Sequence, residues 1–431
     1  MGIRILHLSD IHLGSGQGYG RFNPQTGINT RVEDFYRALE TAIDQALALP
    51  VDVVLFTGDA FPDATPPPWI QELFARQFLR LTTAEIPVVM LVGNHDQYKQ
   101  GEGGASLSIY RALNVPGVIV GESLATYTLT TPNGPLQIVT LPWITHSMLL
   151  TKPETQGLSM EQINQLLLTR LREALEGEIL HLDANIPAIL AAHLMVDQAI
   201  LGAERFLSPG KTFTVPLSLL AQPCFRYVAL GHVHRHQVLY QEPPVVYAGS
   251  IERVDFGEEN EAKGYVLVEI EPTETRWQFC PLPTRPMHTI QVDLTQAKDP
   301  QTKLLDAVKK APITDAIVRV IYRIRADQVT QINERELREV LATAHYVALQ
   351  PEIVTEQPRK RVTNVDLSQV LDPMTVLAQY VDEMEHLKPL KKDLLLAAQA
   401  LLQGTEPDWS ATPATEQLPL QLGEITPVSK R

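Results

Sequence analysis

The segment Gly93-Asn94-His95-Asp96 follows the short apolar run Val88–Val92, and this junction decides the fold of the chain. An apolar run that ends abruptly in polar residues is typical of a buried strand that delivers its last residues to a sheet edge. The same pattern occurs three more times, at Ile3–Leu8 before Ser9-Asp10, Val51–Phe56 before Thr57-Gly58-Asp59, and Ala188–Ala192 before His193. Helical patterns, Val32–Leu49 and Trp69–Leu81, lie between these runs. A succession of βαβ units is therefore predicted.

Later apolar segments alternate more tightly and indicate a second, more antiparallel sheet. These segments are Tyr227–Leu230, Val245–Tyr247, Gly264–Glu271 and Thr275–Phe279. Two β layers with flanking helices would form an α/β fold of four layers, an αββα sandwich. Periodicity alone does not distinguish that arrangement from one mixed sheet.

Three prolines within 281–286 interrupt this pattern and predict a domain boundary, which places residues 1–285 in the first domain. A small α+β domain, 286–355, is predicted from the runs His288–Leu294, Lys303–Lys310, Ala316–Arg325 and Asn333–Ala342. Residues 356–404 are predicted to form a C-terminal helical segment, for which Asp366 and Gln369 are a helix-capping pair. The proline-rich stretch 405–431 has the composition of a disordered tail.

Composition limits the classes of function. The formal net charge of -14 argues against a surface that binds polyanions everywhere, so a DNA-binding site would need bound divalent cations or a basic partner subunit. Two distant cysteines, Cys224 and Cys280, predict neither a disulfide framework nor a zinc knuckle. The absence of a signal peptide and of a membrane-spanning apolar run predicts a cytoplasmic protein that does not enter a membrane.

Five motifs in the sequence supply carboxylate, imidazole and amide groups that can bind metal ions. They are Asp10-Ile11-His12, Gly58-Asp59, Gly93-Asn94-His95-Asp96, His193 and Gly231-His232-Val233-His234. On a strand, Asp10 and His12 would point to the same side and reach one ion. His232 and His234 would do the same on an extended segment, and otherwise a turn must orient them. Mixed oxygen and nitrogen ligands suit manganese, iron or zinc better than calcium, and manganese is preferred.

The order of these motifs resembles that of the calcineurin-like metallophosphoesterase superfamily, over roughly the first two thirds of the chain. The resemblance implies that Asp10, His12, Asp59 and His234 hold one divalent ion. It implies that Asp59, Asn94, His193 and His232 hold a second ion, with Asp59 as the bridge. Two metals about 4 Å apart can activate water and stabilise both the attacking and the leaving oxygen of a displacement.

His95 receives no metal in the superfamily pattern, so its imidazole is free to act on the scissile phosphate. We expect it to protonate the leaving oxygen or stabilise the developing charge, with Asp96 orienting it. The alternative is that His95 only supports the structure around the metals.

The stretch Tyr247–Glu259, followed by Lys263-Gly264-Tyr265, resembles the signature of the SbcD-type exonucleases of double-strand-break repair. This resemblance implies an exonuclease and endonuclease that processes DNA ends or hairpins. It also implies that the small α+β domain is a capping domain and that the segment after Asp372-Pro373-Met374 docks on an SbcC-like coiled-coil ATPase. The expected assembly is a homodimer within a heterotetramer. The alternative for the C-terminal helix is packing on its own domain.

One departure from the pattern is Pro62, because archaeal and eukaryotic relatives have an assisting histidine there, and Asp63 lies one position later. Four basic residues are candidate contacts to backbone phosphate: Arg21, Arg31, Lys99 and Arg253. Two alternative functions remain. One is a small-molecule phosphodiesterase (cyclic-nucleotide) or phosphatase on the same core, and the other is a non-enzymatic scaffold, a class that typically loses metal ligands.

Overall fold

The computed structural model describes residues 2–98, 104–145, 155–202, 213–354, 373–383 and 387–403. The chain divides into two compact units, Met1–Val354 and Thr355–Arg431. Within the described residues, no helix is long and apolar enough to cross a membrane.

The first unit contains strands and helices that alternate along the chain. The strands are β1 (Ile3–Leu8), β2 (Val53–Phe56), β3 (Val88–Leu91), β4 (Val118–Gly121), β5 (Ala125–Thr131), β6 (Gly134–Leu141), β7 (Ala188–His193), β8 (Met195–Val196), β9 (Thr214–Val215), β10 (Phe225–Gly231), β11 (Gln237–Gln241), β12 (Pro244–Tyr247), β13 (Gly264–Ile270), β14 (Thr275–Pro281), β15 (Met287–Asp293), β16 (Ile317–Arg325) and β17 (Tyr346–Val354). The helices are α1 (Thr30–Ala48), α2 (Pro68–Thr83), α3 (Ser108–Ala112), α4 (Met160–Leu180), α5 (Leu217–Leu220), α6 (Pro300–Lys309) and α7 (Glu334–Val340).

The first sheet has the strand order β14-β13-β1-β2-β3-β4. Strands β1 to β4 are parallel, and β13 and β14 extend the sheet in antiparallel pairing. The second sheet has the order β11-β12-β10-β7-β6-β5, and its four central strands are parallel.

These pairings correct the predicted assignment of segments to sheets. The runs Gly264–Glu271 and Thr275–Phe279 belong to the first sheet, and Ala188–Ala192 belongs to the second. The second sheet is also mainly parallel, contrary to the expectation. The alternating pattern of β13 and β14 comes from the antiparallel edge of the first sheet. Period-two patterning indicates the type of a strand but does not identify the strand with which it pairs.

Three apolar clusters establish four layers. Helices α1 and α2 pack on the outer face of the first sheet, while Leu171 and Leu175 of α4 pack on the outer face of the second. The third cluster fills the space between the sheets with alternate residues of both, such as Ile5 and Ile189. The predicted α/β class is confirmed, with the layer order α, β, β, α.

A separate three-stranded parallel sheet, β15-β16-β17, packs against α6 and α7 around its own apolar cluster. We call it the small sheet. It belongs to the same compact unit as the two large sheets, so the boundary after residue 285 stays a prediction. Its last strand, β17, runs to Val354 and was not anticipated from the sequence.

The second unit contains two described α-helices, α8 (Pro373–Glu383) and α9 (Lys391–Gln403), which contact each other. Lys391 forms an ion pair with Asp382 across them. The predicted capping pair Asp366 and Gln369 and the tail 405–431 lie outside the described residues.

Candidate metal centre

All seven predicted metal ligands come together where strands of the two large sheets end. Asp10 and His12 follow β1, Asp59 follows β2, and Asn94 follows β3 in the first sheet. His193 is the last residue of β7, and His232 and His234 follow β10 in the second sheet. Carboxyl ends of parallel strands lie at one sheet edge, so side chains far apart in sequence meet there.

Two groups of potential donor atoms lie side by side at this edge. The first group is Asp10, His12 and His234, and the second is Asp59, His193 and His232; within each group the donor atoms lie within 4.8 Å of one another. In the first group, His12 Nε2 and His234 Nε2 are 3.0 Å apart.

Asp59 lies between the imidazoles of the two groups, and Asn94 lies beside those of the second. Asp59 Oδ2 is 3.7 Å from His12 Nε2 and 3.4 Å from His193 Nε2, so one carboxylate oxygen faces both groups. Asn94 Oδ1 is 3.1 Å from His193 Nε2 and 2.8 Å from His232 Nδ1. The structure therefore brings the predicted ligands together, and their assignment to two ions stays a prediction.

The backbone at the site differs from the strand geometry used to predict it. Strand β1 ends at Leu8, and Asp10 and His12 have φ of 49° and 46°, so strand alternation is the wrong reason for their proximity. Asp59 and His232 also have positive φ, of 61° and 98°. Left-handed conformations at non-glycine residues are uncommon and cluster at functional sites, where the surrounding structure holds them.

The motif glycine Gly93 makes the close approach of two loops possible. A Cβ at this position would lie 2.1 Å from Asp59 Oδ1 and 2.5 Å from Asp59 N. Any side chain there would displace the carboxylate that faces both groups.

Electrostatics at the site favour a positive charge on His193, beside the Asp59 carboxylate, and disfavour one on His232. Burial lowers the pKa of His193, but the nearby Asp59 carboxylate outweighs it and raises that pKa to about 9. Burial and the proximity of His193 lower the pKa of His232 to about 3. Burial opposes ionisation of Asp59 too, yet its histidine neighbours hold its pKa well below the usual range.

The donor set fits divalent cations. His193 Nδ1 donates to the Thr57 carbonyl at 2.6 Å, which leaves Nε2 as the atom directed toward Asn94 and Asp59. Imidazole nitrogens, carboxylate oxygens and an amide oxygen then converge in a buried space. Cations bound there would supply the positive charge that protonated His193 otherwise provides. Such mixed ligation suits manganese, iron or zinc.

His95 occupies the predicted place beside the site, but its orienting partner was predicted wrongly. Its imidazole ring lies 5.1 Å from the His12 ring, between centroids, and its Nδ1 donates to the Pro62 carbonyl at 2.8 Å. Asp96 instead accepts hydrogen bonds from the backbone N–H groups of Gly93, Asp59 and Ala60 and from the Ser106 hydroxyl. Asp96 thus fixes the loops that carry Asp59 and Asn94, and the carbonyl of Pro62 orients His95.

Two residues of the signature stretch, Glu258 and Lys263, contact the site although they belong to none of the metal-ligand motifs. Glu258 Oε1 lies 2.7 Å from His234 Nδ1, and Lys263 Nζ lies 2.8 Å from Glu258 Oε2. Both are buried. The sequence contained a signal for this pair, namely two residues of opposite charge five positions apart in the signature stretch. A sequence does not show, however, which imidazole such residues contact.

Trp143 is a further residue that sequence reasoning missed. Its ring lies 4.8 Å from the ring of His232, between centroids. No motif pointed to it, because it follows β6, a strand that was not predicted.

The predicted phosphate contacts are partly corrected. Arg31 is fully buried, pairs with Asp34 and Glu252, and donates to the Arg253 carbonyl. The Arg253 guanidinium donates to the Thr284 hydroxyl and to backbone carbonyls. These two side chains hold the fold together, and Lys99 lies outside the described residues. Asp63 is exposed and accepts from Thr65 in a turn.

Comparison with known proteins identifies relatives of this chain. It is 26% identical over 288 residues to the SbcD subunit of the SbcCD nuclease of Bacillus subtilis (strain 168), covering 64% of this chain and 68% of that one. A dimetal phosphatase from Danio rerio overlaps at a TM-score of 0.37 with 12% identity, covering 64% of this chain and 98% of the other. A protein from Thermus thermophilus overlaps at a TM-score of 0.35 with 15% identity, covering 65% of this chain and 99% of the other.

The family of calcineurin-like phosphoesterases matches residues 3–236, more than half of the chain. That span includes every residue of the two donor groups. The chain therefore belongs to the calcineurin-like phosphoesterases and is a hydrolase that depends on two divalent metal ions.

Proposed function

We propose that this chain is the nuclease subunit of an SbcCD-type complex and hydrolyses phosphodiester bonds at DNA ends or hairpins. The observation that carries the proposal is the likeness to the SbcCD nuclease of Bacillus subtilis in a chain whose two donor groups meet around one carboxylate, Asp59. A scaffold protein would not need to keep seven potential ligands together where the strands of both large sheets end.

In this proposal, Asp10, His12, Asp59 and His234 hold one ion, while Asp59, Asn94, His193 and His232 hold the other. The preferred ion is manganese, because nitrogen and oxygen donors are mixed in both sets. When bound, the pair supplies an activated water and stabilises charge on the attacking and leaving oxygens.

His95 is assigned the proton transfer to the leaving oxygen. The Pro62 carbonyl holds the proton of His95 on Nδ1, so a second proton on Nε2 is the one available for donation. Asp96 is a positioning residue, because its carboxylate joins the loops of Asp59 and Asn94.

Cleavage assays with purified chain test this function. The substrates are end-labelled duplex DNA, hairpin DNA, a cyclic nucleotide and a phosphate monoester, each with manganese and with or without an SbcC-like ATPase. We expect cleavage of DNA that the ATPase stimulates, and Asp59→Asn as a control should show whether a contaminating nuclease contributes. Turnover of the small substrates alone would favour the small-molecule phosphodiesterase or phosphatase and exclude the DNA nuclease.

Docking of the ATPase is assigned to the second unit, and the assembly to a homodimer within a heterotetramer. Helices α8 and α9 have apolar positions at helical spacing, including Met374, Leu377 and Val381. Truncation after Val354 preserves β17 and should abolish ATPase binding in a pull-down. Retained binding by the truncated chain would place the docking surface in the first unit.

A further inference from the structure

We propose that Glu258 is a positioning residue for His234, and that the segment Asp255–Glu259 makes the ion at His234 sensitive to contacts of the small sheet. The inference rests on the proposed function, since it takes His234 as a metal ligand. It concerns two residues of the signature stretch, Glu258 and Lys263, that belong to none of the five metal-ligand motifs.

The first observation is the contact between Glu258 and His234. Glu258 Oε1 lies 2.7 Å from His234 Nδ1, and both side chains are buried. A carboxylate accepts the Nδ1 proton and so directs the Nε2 lone pair of His234 toward His12 and Asp10. The carboxylate also makes the imidazole a stronger donor to a cation.

The position of the Glu258 carboxylate is maintained by its other partners. Oε2 pairs with Lys263 Nζ at 2.8 Å and accepts from Val254 N at 3.0 Å. The Lys263 ammonium and the Val254 N–H therefore hold this buried carboxylate in place as the acceptor for His234 Nδ1.

Lys263 also holds the backbone of the same histidine. Its ammonium donates to the His234 carbonyl at 3.0 Å and to Glu261 Oε2 at 2.9 Å. The pair Glu258 and Lys263 thus fixes His234 at both its side chain and its main chain. Such a double restraint limits the positions that Nε2 can reach.

The second observation is that the same short segment binds the small sheet. Phe256 packs with Met287 of β15 and Ile317 of β16, and the guanidinium of Arg319 lies 4.4 Å from the centre of the Phe256 ring. Glu259 accepts from the Thr289 hydroxyl at 2.6 Å.

The segment can transmit displacement because it is short and internally bonded. A single 3-10 turn, Phe256–Glu258, joins the residue in contact with β15 and β16 to the residue in contact with His234. Asp255 accepts from Gly257 N at 2.6 Å and caps this turn. A shift of the small sheet would therefore move Glu258 relative to His234, which would weaken one ion more than the other.

Calorimetric titration with Mn²⁺ tests the positioning role, because it measures each site without turnover. The wild-type chain should bind two ions, and Glu258→Gln should weaken one of them about 10- to 100-fold and leave the other unchanged. Glu258→Asp keeps the charge near Lys263 but shortens the reach to Nδ1, and should weaken the same ion.

Glu252→Gln is the matched control. Glu252 is a buried carboxylate of the same stretch, but it accepts from the backbone N–H groups of Arg253 and Arg285. The Glu252→Gln variant should retain wild-type affinity for both ions. If Glu258→Gln and Glu252→Gln weaken binding equally, or if neither Glu258 variant weakens it, Glu258 has no positioning role.

His234→Ala separates this inference from the proposed function. Loss of one ion in His234→Ala together with unchanged binding in both Glu258 variants overturns the inference alone. Two unchanged ions in His234→Ala would instead overturn the assigned ligand set.

Arg319→Ala tests the connection to the small sheet. Loss of its contact with Phe256 should lower the affinity of the same ion about two- to five-fold. Arg323→Ala is the control, because Arg323 lies on the same strand but faces Asp293 and Glu352 at the surface. Equal affinities in the two arginine variants would exclude the connection.

Discussion

The two donor groups of the metal centre are held in different ways. His193 is the last residue of β7, and its Nδ1 donates to the carbonyl of Thr57 beyond β2, so strand ends of both large sheets fix it. His234 lies beyond the end of β10, and its Nδ1 meets the side chain of Glu258, on a segment outside both large sheets. His193 is thus held by the sandwich alone, while His234 also depends on a segment outside both large sheets.

Replacing Asp59 with Asn should have the largest effect, because one oxygen of its carboxylate lies 3.7 Å from His12 Nε2 and 3.4 Å from His193 Nε2 and so faces both groups. The amide keeps the size and the hydrogen bond from His95 N but removes the charge. We expect hydrolysis of a phosphodiester such as bis(p-nitrophenyl) phosphate to fall about 10³-fold or more. Calorimetry should show both ions weakened.

Asn94→Ala is the companion variant for that measurement. Asn94 Oδ1 faces only His193 and His232, so one ion should weaken and the other should stay. Equal weakening of both ions in Asn94→Ala would show that the two groups are not separable.

His95→Gln should have the next largest effect, on the rate and not on the ions. The imidazole lies beside His12 of the first group, and its Nδ1 is occupied by the Pro62 carbonyl. Loss of a proton donor should lower kcat about 10²-fold while leaving KM and both metal affinities near their wild-type values. Near-normal kcat with both ions bound would assign His95 a supporting role only.

These residues show what sequence reasoning could reach. The seven potential ligands and the strands that deliver them were predicted, because strand-end motifs depend on local pattern and order. The reason given for Asp10 and His12 was wrong, since both lie beyond β1 with positive φ. The orienting partner of His95 was also wrong, because backbone carbonyls such as that of Pro62 carry no residue-specific signal.

Partners between distant segments were the part that could not be predicted. Strands β13 and β14 join the first sheet through β1, and the pattern of a strand does not encode its neighbour. Likewise Arg31 and Arg253 were candidate phosphate contacts, but Arg31 is buried with Asp34 and Glu252. Contacts of this kind depend on the three-dimensional arrangement alone.

Metal removal should lower the free energy of unfolding moderately, and the size of the loss should distinguish the two donor groups. Each ion present at about 100 times its dissociation constant adds about 2.7 kcal/mol to the free energy of unfolding. For the wild type, the free energy of unfolding measured with denaturant in Mn²⁺ should therefore exceed the value in a chelator by the contribution of two ions. For His234→Ala, the difference should equal the contribution of one ion, the ion assigned to the group of His193. A chelator effect of wild-type size in His234→Ala would contradict this division.

The smallest expected effect concerns His7, which contacts the side chain of Thr57, the residue whose carbonyl accepts from His193. His7 lies between the sheets, and its ring nitrogens contact the hydroxyls of Tyr227 and Thr57, each at 3.1 Å. Burial, with a further contribution from His236, lowers the pKa of His7 to about 3, against 6.5 for an unperturbed histidine. Between these values, the unfolded chain takes up a proton that the folded chain excludes, so stability falls as the pH falls.

The contribution of His7 to that slope is at most about 1.4 kcal/mol per pH unit, and His7→Asn should remove it. The measurement is urea unfolding in the presence of a chelator at pH 7, 6, 5 and 4, which excludes metal release as a cause. His181→Asn, at an exposed histidine after α4, is the control and should retain the wild-type slope. Equal slopes in His7→Asn and the wild type would mean that His7 accepts a proton in the folded state. The space between the sheets would then be less rigid than the contacts of Thr57 with His7 and His193 indicate.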